Sequence, residues 1–321
     1  MNQPLIDIRN LTKHFDRGRL KIHAVDNVSL SIGTGEIVGL VGESGSGKST
    51  LGRTLLGLDR KTAGEILFKG SKLPTVYRTS DFHRYARSMQ MIFQDPYSSL
   101  NPRMTVGEII GEALRLHSDL NKEDIAHRIE EWLVKVGLNV DQLGRYPHEF
   151  SGGQRQRIGI ARALILEPEF VVCDEPISAL DVSIQAQVVD LLGDLKRSLG
   201  LTLLFIAHDL SMVRYVSDRM AVMYLGSLVE IGHSDRVFFD PKHPYTELLI
   251  GSNPEPDPNR ERSRQRTPSI GEIPSQLDIP SGCRFANRCP HAMDVCRHVS
   301  PALQIVNNVD DERLIACHLY E

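Results

Sequence analysis

The stretch Gly42-Glu43-Ser44-Gly45-Ser46-Gly47-Lys48-Ser49-Thr50 constrains this chain more than any other, because it reads G-x-x-x-x-G-K-S. Residues 36–41 before it form a short apolar run of strand type, and residues 50–57 after it carry helical periodicity. Strand, glycine loop and helix in that order is the setting in which the pattern holds phosphate. Glycine at 42, 45 and 47 permits positive φ and lets the backbone approach phosphate oxygens. The exposed N–H groups and the positive end of the helix then bind an anion. Lys48 is expected to reach the β- and γ-phosphates of a nucleoside triphosphate, and the Ser49 hydroxyl to ligate Mg2+.

Size and composition set outer limits. A chain of 321 residues makes one large or two modest domains, and 41% hydrophobic residues suffice for a core. With 37 basic and 41 acidic residues the net charge is −4, which argues against a dedicated nucleic-acid binder. The longest apolar runs resemble 201–207, far short of the ~18 residues that span a bilayer. The first residues lack the basic-then-apolar layout of a signal peptide, so a cytosolic chain is expected. Of five cysteines, four lie from Cys283 onward. In a reducing compartment that grouping suggests metal before disulfides.

Residues 5–11 and 23–32 alternate apolar and polar and predict strands, with a turn at 16–19. Phe15, beside that turn, reads as a core aromatic or a platform for a base, and pattern alone favours the core. Residues 64–68 and 89–93 predict strands, while 70–88 are polar and irregular. Residues 95–150 are helical: one stripe runs through Val106, Ile109, Ile110, Ala113 and Leu114. A second, opened by Asn121 with Asp124 in a weak capping-box position, runs through Ile125, Ile129, Trp132, Leu133 and Val136. A third helix opens at Ser151-Gly152-Gly153. The runs 170–173 and 201–207 suit strands buried on both faces, with a helix over 183–199 between them. A short helix over 210–216 and strands at 219–224 and 227–231 close an α/β core. Prolines and then charges at 252–268 predict a linker, followed by a small cysteine-bearing module over 269–321.

Asp174 and Glu175 stand at the end of a buried strand, where one carboxylate can face a phosphate-bound Mg2+ and the other can polarise a water. Acids at strand ends are common, so the pair gains meaning only from its neighbours. Ser151-Gly152-Gly153-Gln154-Arg155 resembles the signature motif of ATP-binding-cassette (ABC) ATPases. Gln94 matches that family's Q-loop, Ser178-Ala-Leu-Asp181 its D-loop and His208 its switch histidine. With the phosphate loop and the acidic pair, six motifs follow the family's order over about residues 5–250.

The resemblance implies an α/β fold: a RecA-like P-loop core with an antiparallel β subdomain and a helical subdomain at about 95–155. The nucleotide-binding domain then covers 1–251, ahead of the linker and the cysteine module. It also implies residue roles. Phe15 becomes the adenine-stacking aromatic, overturning the core-first reading. The whole loop from Gly42 to Thr50 holds ATP, and Ser49, Gln94 and Asp174 attend Mg2+. Glu175 is the catalytic base, Gln94 senses metal, water and the membrane partner, and His208 holds the γ-phosphate. Ser151, Gly152, Gly153 and Gln154, with Asp181, act across to the nucleotide of a second cassette, so ATP joins two subunits and hydrolysis parts them.

Phe93-Gln-Asp-Pro-Tyr-Ser-Ser-Leu-Asn-Pro102, Tyr146-Pro-His-Glu-Phe-Ser151, Asp181-Val-Ser-Ile-Gln-Ala-Gln187 and His243-Pro-Tyr-Thr246 look like the oligopeptide/dipeptide importer ATPases. Ile177 departs slightly, standing where that group more often has Val or Thr. Five residues separate Cys283 from Cys289, six separate Cys289 from Cys296, and Cys317 follows. Those spacings are wide for a zinc ribbon, although His291, His298 and His318 could supply nitrogens. The residues alone leave an iron–sulfur cluster, zinc and free thiols open; the resemblance favours [4Fe–4S]. Cys173, in a buried strand, reads as a small apolar residue.

The implied partners are a paralogous ATPase subunit, two transmembrane permeases and an extracytoplasmic substrate-binding protein, with no nucleic acid. The implied location is peripheral, on the cytoplasmic face of the inner membrane. Nickel or glutathione is an alternative cargo. A soluble cassette ATPase is the alternative class, but such chains usually carry two cassettes, and this one has one loop and one signature. A GTPase would have no use for the signature or His208.

Overall fold

The computed structural model describes residues 3–18, 20–178, 180–252, 277, 279–306 and 313–321. Residues 253–268 of the expected linker lie outside them. The chain divides into two compact units, the first made of Met1–Ile32, Ile37–Thr75 and Ile206–Glu321, the second of Gly33–Glu36 and Val76–Phe205.

The first unit holds an antiparallel sheet of β1 (Ile6–Arg17), β2 (Leu20–Ile32), β4 (Ala63–Phe68) and β5 (Ser71–Lys72), in the order β2-β1-β4-β5. β1 and β2 run further than their alternation suggests. Phe15 pairs with Ile22 and Arg17 with Leu20, so the backbone ladder continues to the turn where little apolar surface is buried. β5 falls within 70–88, which reads as irregular in sequence.

The same unit carries β3 (Ile37–Val41), β9 (Arg219–Tyr224), β10 (Ser227–His233), β11 (Gln304–Ile305) and β12 (Leu314–Ile315), in the order β3-β9-β10-β12-β11. β3 and β9 are parallel and the other pairs antiparallel. All five residues of β3 are buried, which accounts for its unbroken apolar run. Among its described residues this unit also holds helices α1 (Lys48–Leu55), α8 (Leu210–Val216), α9 (Ser234–Phe239), α10 (Pro244–Gly251) and α11 (Asp294–His298). Two tail strands thus extend the sheet. Beside them the buried carboxylate of Glu230 meets Arg313 at 3.5 Å and accepts from the N–H groups of Lys242 and His243.

The second unit carries β6 (Met89–Ile92), β7 (Phe170–Asp174) and β8 (Thr202–Ile206) in that order, with β6 parallel to β7 and Ile92 beside Cys173. Its helices are α2 (Thr79–Tyr85), α3 (Pro96–Ser99), α4 (Val106–His117), α5 (Lys122–Lys135), α6 (Gly152–Leu164) and α7 (Val182–Leu199). α2 buries none of its residues, so it shows no apolar stripe in the stretch that reads as irregular. Trp132 of α5 is fully buried, as its stripe implies. The capping-box expectation at Asn121 needs correction. Asn121 Oδ1 accepts from the N–H of Glu123 and Asp124, but the Asp124 carboxylate takes the Asn121 side-chain amide at 2.7 Å. An aspartate is one methylene shorter than the glutamate that usually closes the box. Among the described residues no helix is long and apolar enough to cross a membrane.

Candidate functional site

The phosphate loop belongs to the first unit, leaving β3 and entering α1. Gly47 caps α1 with φ 105. A Cβ there would meet Ala24 O at 1.9 Å, and one on Gly42 would meet Met223 O at 2.1 Å. The loop therefore lies where only glycine fits. Inside its curve Lys48 is 4% exposed. Its Nζ donates to the carbonyls of Gly42 at 2.8 Å and Glu43 at 3.0 Å. That puts the amine where the N–H groups at the start of α1 gather, the arrangement that receives phosphate oxygens.

The loop is braced from behind. Gly226 N donates to Ser46 O at 2.8 Å, and Asp26 N donates to Gly226 O at 2.8 Å. Glu43 N donates to the Tyr245 hydroxyl at 2.8 Å. Ser49 is half-buried, so its hydroxyl can reach a metal. Phe15 corrects the core-first reading: the residue is 36% exposed, with Lys13 Nζ 4.2 Å from the ring centroid. His208 follows β8 and is exposed, and the next residue, Asp209, caps α8 through the N–H groups of Ser211 and Met212.

The second unit supplies the other expected residues. Asp174 ends β7 and is buried, and Glu175 follows it with φ 45. A non-glycine residue held there carries backbone strain, which tends to gather at functional sites. Gln94, just past β6, donates its amide to Glu175 Oε2 at 2.9 Å. The parallel pairing of β6 and β7 brings these two residues together. Ser151 caps α6: its hydroxyl accepts from Gln154 N at 3.3 Å, and Gln154 Oε1 accepts from Ser151 N at 3.1 Å. Ser151 is exposed, Gly153 buried, and Asp181 is the exposed cap residue of α7.

The four tail thiols are free, with Cys296 and Cys317 buried. Burial raises Cys283, Cys289 and Cys317, the last to about 11, and neighbouring thiols raise each further. The cysteines are thus near enough to sense one another's charge. No three of these sulfurs lie within 4.8 Å of one another; among the described residues only His14, His23 and Asp26 bring ligand atoms that close. In that trio the Arg284 guanidinium already neutralises Asp26. Cys173 is fully buried and pushed up to about 12 by that burial, which suits an inert apolar residue.

Sequence reasoning missed three supports of the loop: Tyr245, Gly226 and Arg288, whose guanidinium meets Glu43 at 2.9 and 3.0 Å. No local pattern marks partners so distant in the chain.

Comparison with known proteins agrees with this geometry. Residues 25–178 match the ABC transporter family, and residues 229–296 match the oligopeptide/dipeptide transporter C-terminal region. YkfD of Bacillus subtilis is 53% identical over 99% of this chain and 96% of its own length. The oligopeptide transport ATP-binding protein OppF of Salmonella typhimurium is 50% identical over 94% of this chain and 92% of its own. Among solved structures, the ATP-binding cassette MJ0796, a dimer in a post-hydrolysis state bound to ADP and Pi, superposes with TM-score 0.66. It is 29% identical, covering 71% of this chain and 98% of that one. The cbiO1 cassette from Clostridium perfringens gives 0.66 at 26% identity over 74% of this chain and 92% of its own. The chain therefore belongs to the ABC transporter ATP-binding family, as an ATPase of the branch that carries the oligopeptide/dipeptide C-terminal region.

Proposed function

We propose that this chain binds and hydrolyses ATP to drive peptide import through a bacterial membrane transporter. The observation that carries this is the near-full-length identity to OppF, tail included. Lys48 and the loop N–H groups bind the β- and γ-phosphates, and Phe15 stacks on the adenine. Ser49, Asp174 and Gln94 are the residues that would attend Mg2+, which when bound neutralises charge on the phosphate oxygens. Gln94 orients the Glu175 carboxylate, which takes a proton from the attacking water. His208 holds the γ-phosphate as it leaves. Ser151, Gly152, Gly153 and Gln154, with Asp181, serve the nucleotide of a paralogous cassette. Two permeases and an extracytoplasmic binding protein complete the transporter, with this subunit peripheral on the cytoplasmic face. Residues 1–251 form the nucleotide-binding domain and 269–321 the tail module.

The four cysteines would hold a [4Fe–4S] cluster, which needs four thiolates. With Zn–S near 2.3 Å, a tetrahedral zinc sets its sulfurs about 3.8 Å apart. Anaerobically purified protein should contain about four irons per chain; one zinc without iron overturns the cluster.

Two further measurements test the main reading. Glu175→Gln should keep ATP affinity and lose ATPase turnover by about 100-fold or more, the scale of a lost general base; wild-type turnover removes the base role. Deleting the coding frame should abolish uptake of tripeptides. Normal peptide uptake with lost nickel or glutathione uptake would reassign the cargo. A chain that stays with ribosomes and never with permeases would refute transport.

A further inference from the structure

A loop of the tail grips the phosphate loop. Residues 283–289 fold as successive turns: Ala286 N donates to Cys283 O at 3.0 Å and Arg288 N to Phe285 O at 2.9 Å. The start is tied down by Cys283 N donating to Cys296 O at 2.7 Å. Two arginines project from it. Arg284 donates to Leu225 O and to the Asp26 carboxylate. Arg288, its side chain 5% exposed, forks onto Glu43, Nη1 to Oε2 at 2.9 Å and Nη2 to Oε1 at 3.0 Å. Tyr224 OH lies 3.4 Å from Nη1.

Glu43 is a junction of the loop. Its carbonyl accepts from Lys48 Nζ and from Ser46 N, and its own N–H donates to Tyr245. Any tilt of Glu43 therefore moves the lysine and the turn that receive phosphate. The carboxylate also puts a negative charge beside a site built for an anion, where like charge opposes binding. A two-point guanidinium fork addresses both, since it fixes the carboxylate plane and cancels its charge.

We propose that Arg288 is a positioning residue of the phosphate loop, by which the tail sets the loop's affinity for nucleoside triphosphate through Glu43. This rests on the assignment of the loop to ATP. That assignment fails separately, if Lys48→Ala binds ATP as tightly as the wild type.

The test is a double-mutant cycle on the full chain, read as ATP affinity with a fluorescent ATP analogue and as a KM-against-kcat split. Arg288→Ala should weaken binding about tenfold, equivalent to about 1.4 kcal/mol, with kcat at saturating ATP within about twofold. In a Glu43→Ala background the same change should cost less than about twofold, since no carboxylate remains to hold. Arg288→Lys keeps the charge but loses the fork, so it should fall between, at about threefold. Equal loss in both backgrounds, no loss in either, or a fall in kcat with KM unchanged overturns the proposal. Should Arg288→Ala fail to fold, Arg288→Lys carries the same cycle, judged by the same outcomes.

Discussion

Two helix starts in this protein are glycine-bearing and both are expected to meet nucleotide, yet they are finished differently. α1 begins at Gly47, which has no side chain to cap it. α6 begins at Ser151, whose hydroxyl accepts from Gln154 N while Gln154 returns the bond to Ser151 N. A capping box satisfies donors that an open helix start offers to an anion. The first helix start has no such side-chain cap. At the second, Ser151 is exposed and its hydroxyl is engaged by its own first turn. The supports differ as well. The phosphate loop is braced by Gly226, Tyr245 and Arg288, whereas Ser151 leans on its own first turn.

The sharpest way to break this contrast is Gly47→Ala. The new methyl would meet Ala24 O at 1.9 Å, in a backbone conformation of φ 105 that alanine resists. ATP affinity should fall by ~100-fold or more, a loss of at least about 2.7 kcal/mol, with the circular dichroism spectrum kept. Near-normal binding would mean that the loop does not need this geometry. Ser151→Ala should act otherwise. Losing the cap costs about 1 kcal/mol of stability, seen as a lower urea midpoint. ATP binding by the dilute single chain should stay within about twofold, if Ser151 serves a partner's nucleotide as proposed. In the Glu175→Gln background, ATP-driven association should weaken about tenfold in analytical ultracentrifugation, about 1.4 kcal/mol. A dilute chain that loses ATP affinity with Ser151→Ala would erase the distinction between the two helix starts.

What the sequence shows of this follows from distance along the chain. The phosphate loop and the Ser151–Gln154 box are contiguous, so composition and spacing reveal them. β3, β7 and β8 are legible because burial on both faces leaves unbroken apolar runs. α2 is not, because it buries nothing, and β11 and β12 are too short, at two residues each, to show alternation. The bond between Gln94 and Glu175 depends on the pairing of β6 with β7, which no window of sequence displays. Arg288 is the extreme case. It stands beside Cys289, while its guanidinium meets Glu43, 245 positions earlier in the chain.

The smallest expected effect tests whether bracing from behind matters to a loop already shaped by glycine. Tyr245→Phe removes the hydroxyl that accepts from Glu43 N and keeps the ring, packed 4.4 Å from Tyr224 and 5.5 Å from Phe285 between centroids. Losing one neutral acceptor costs about 1 kcal/mol, so ATP should bind about fivefold more weakly. Tyr245 is itself held by His243, whose Nδ1 accepts from Tyr245 N at 3.0 Å. Burial pushes that imidazole down to about 3, from an ordinary value of 6.5. Because the folded state binds this proton less tightly than the unfolded one, stability from His243 is complete above pH 6.5 and drains as pH falls toward 3. The brace is therefore constant across assay pH, and the Tyr245→Phe penalty should be equal at pH 7 and pH 8. A penalty that grows between those values would place a titrating group in the brace. A penalty as large as that of Gly47→Ala would mean that the loop's shape comes from its supports and not from its glycines.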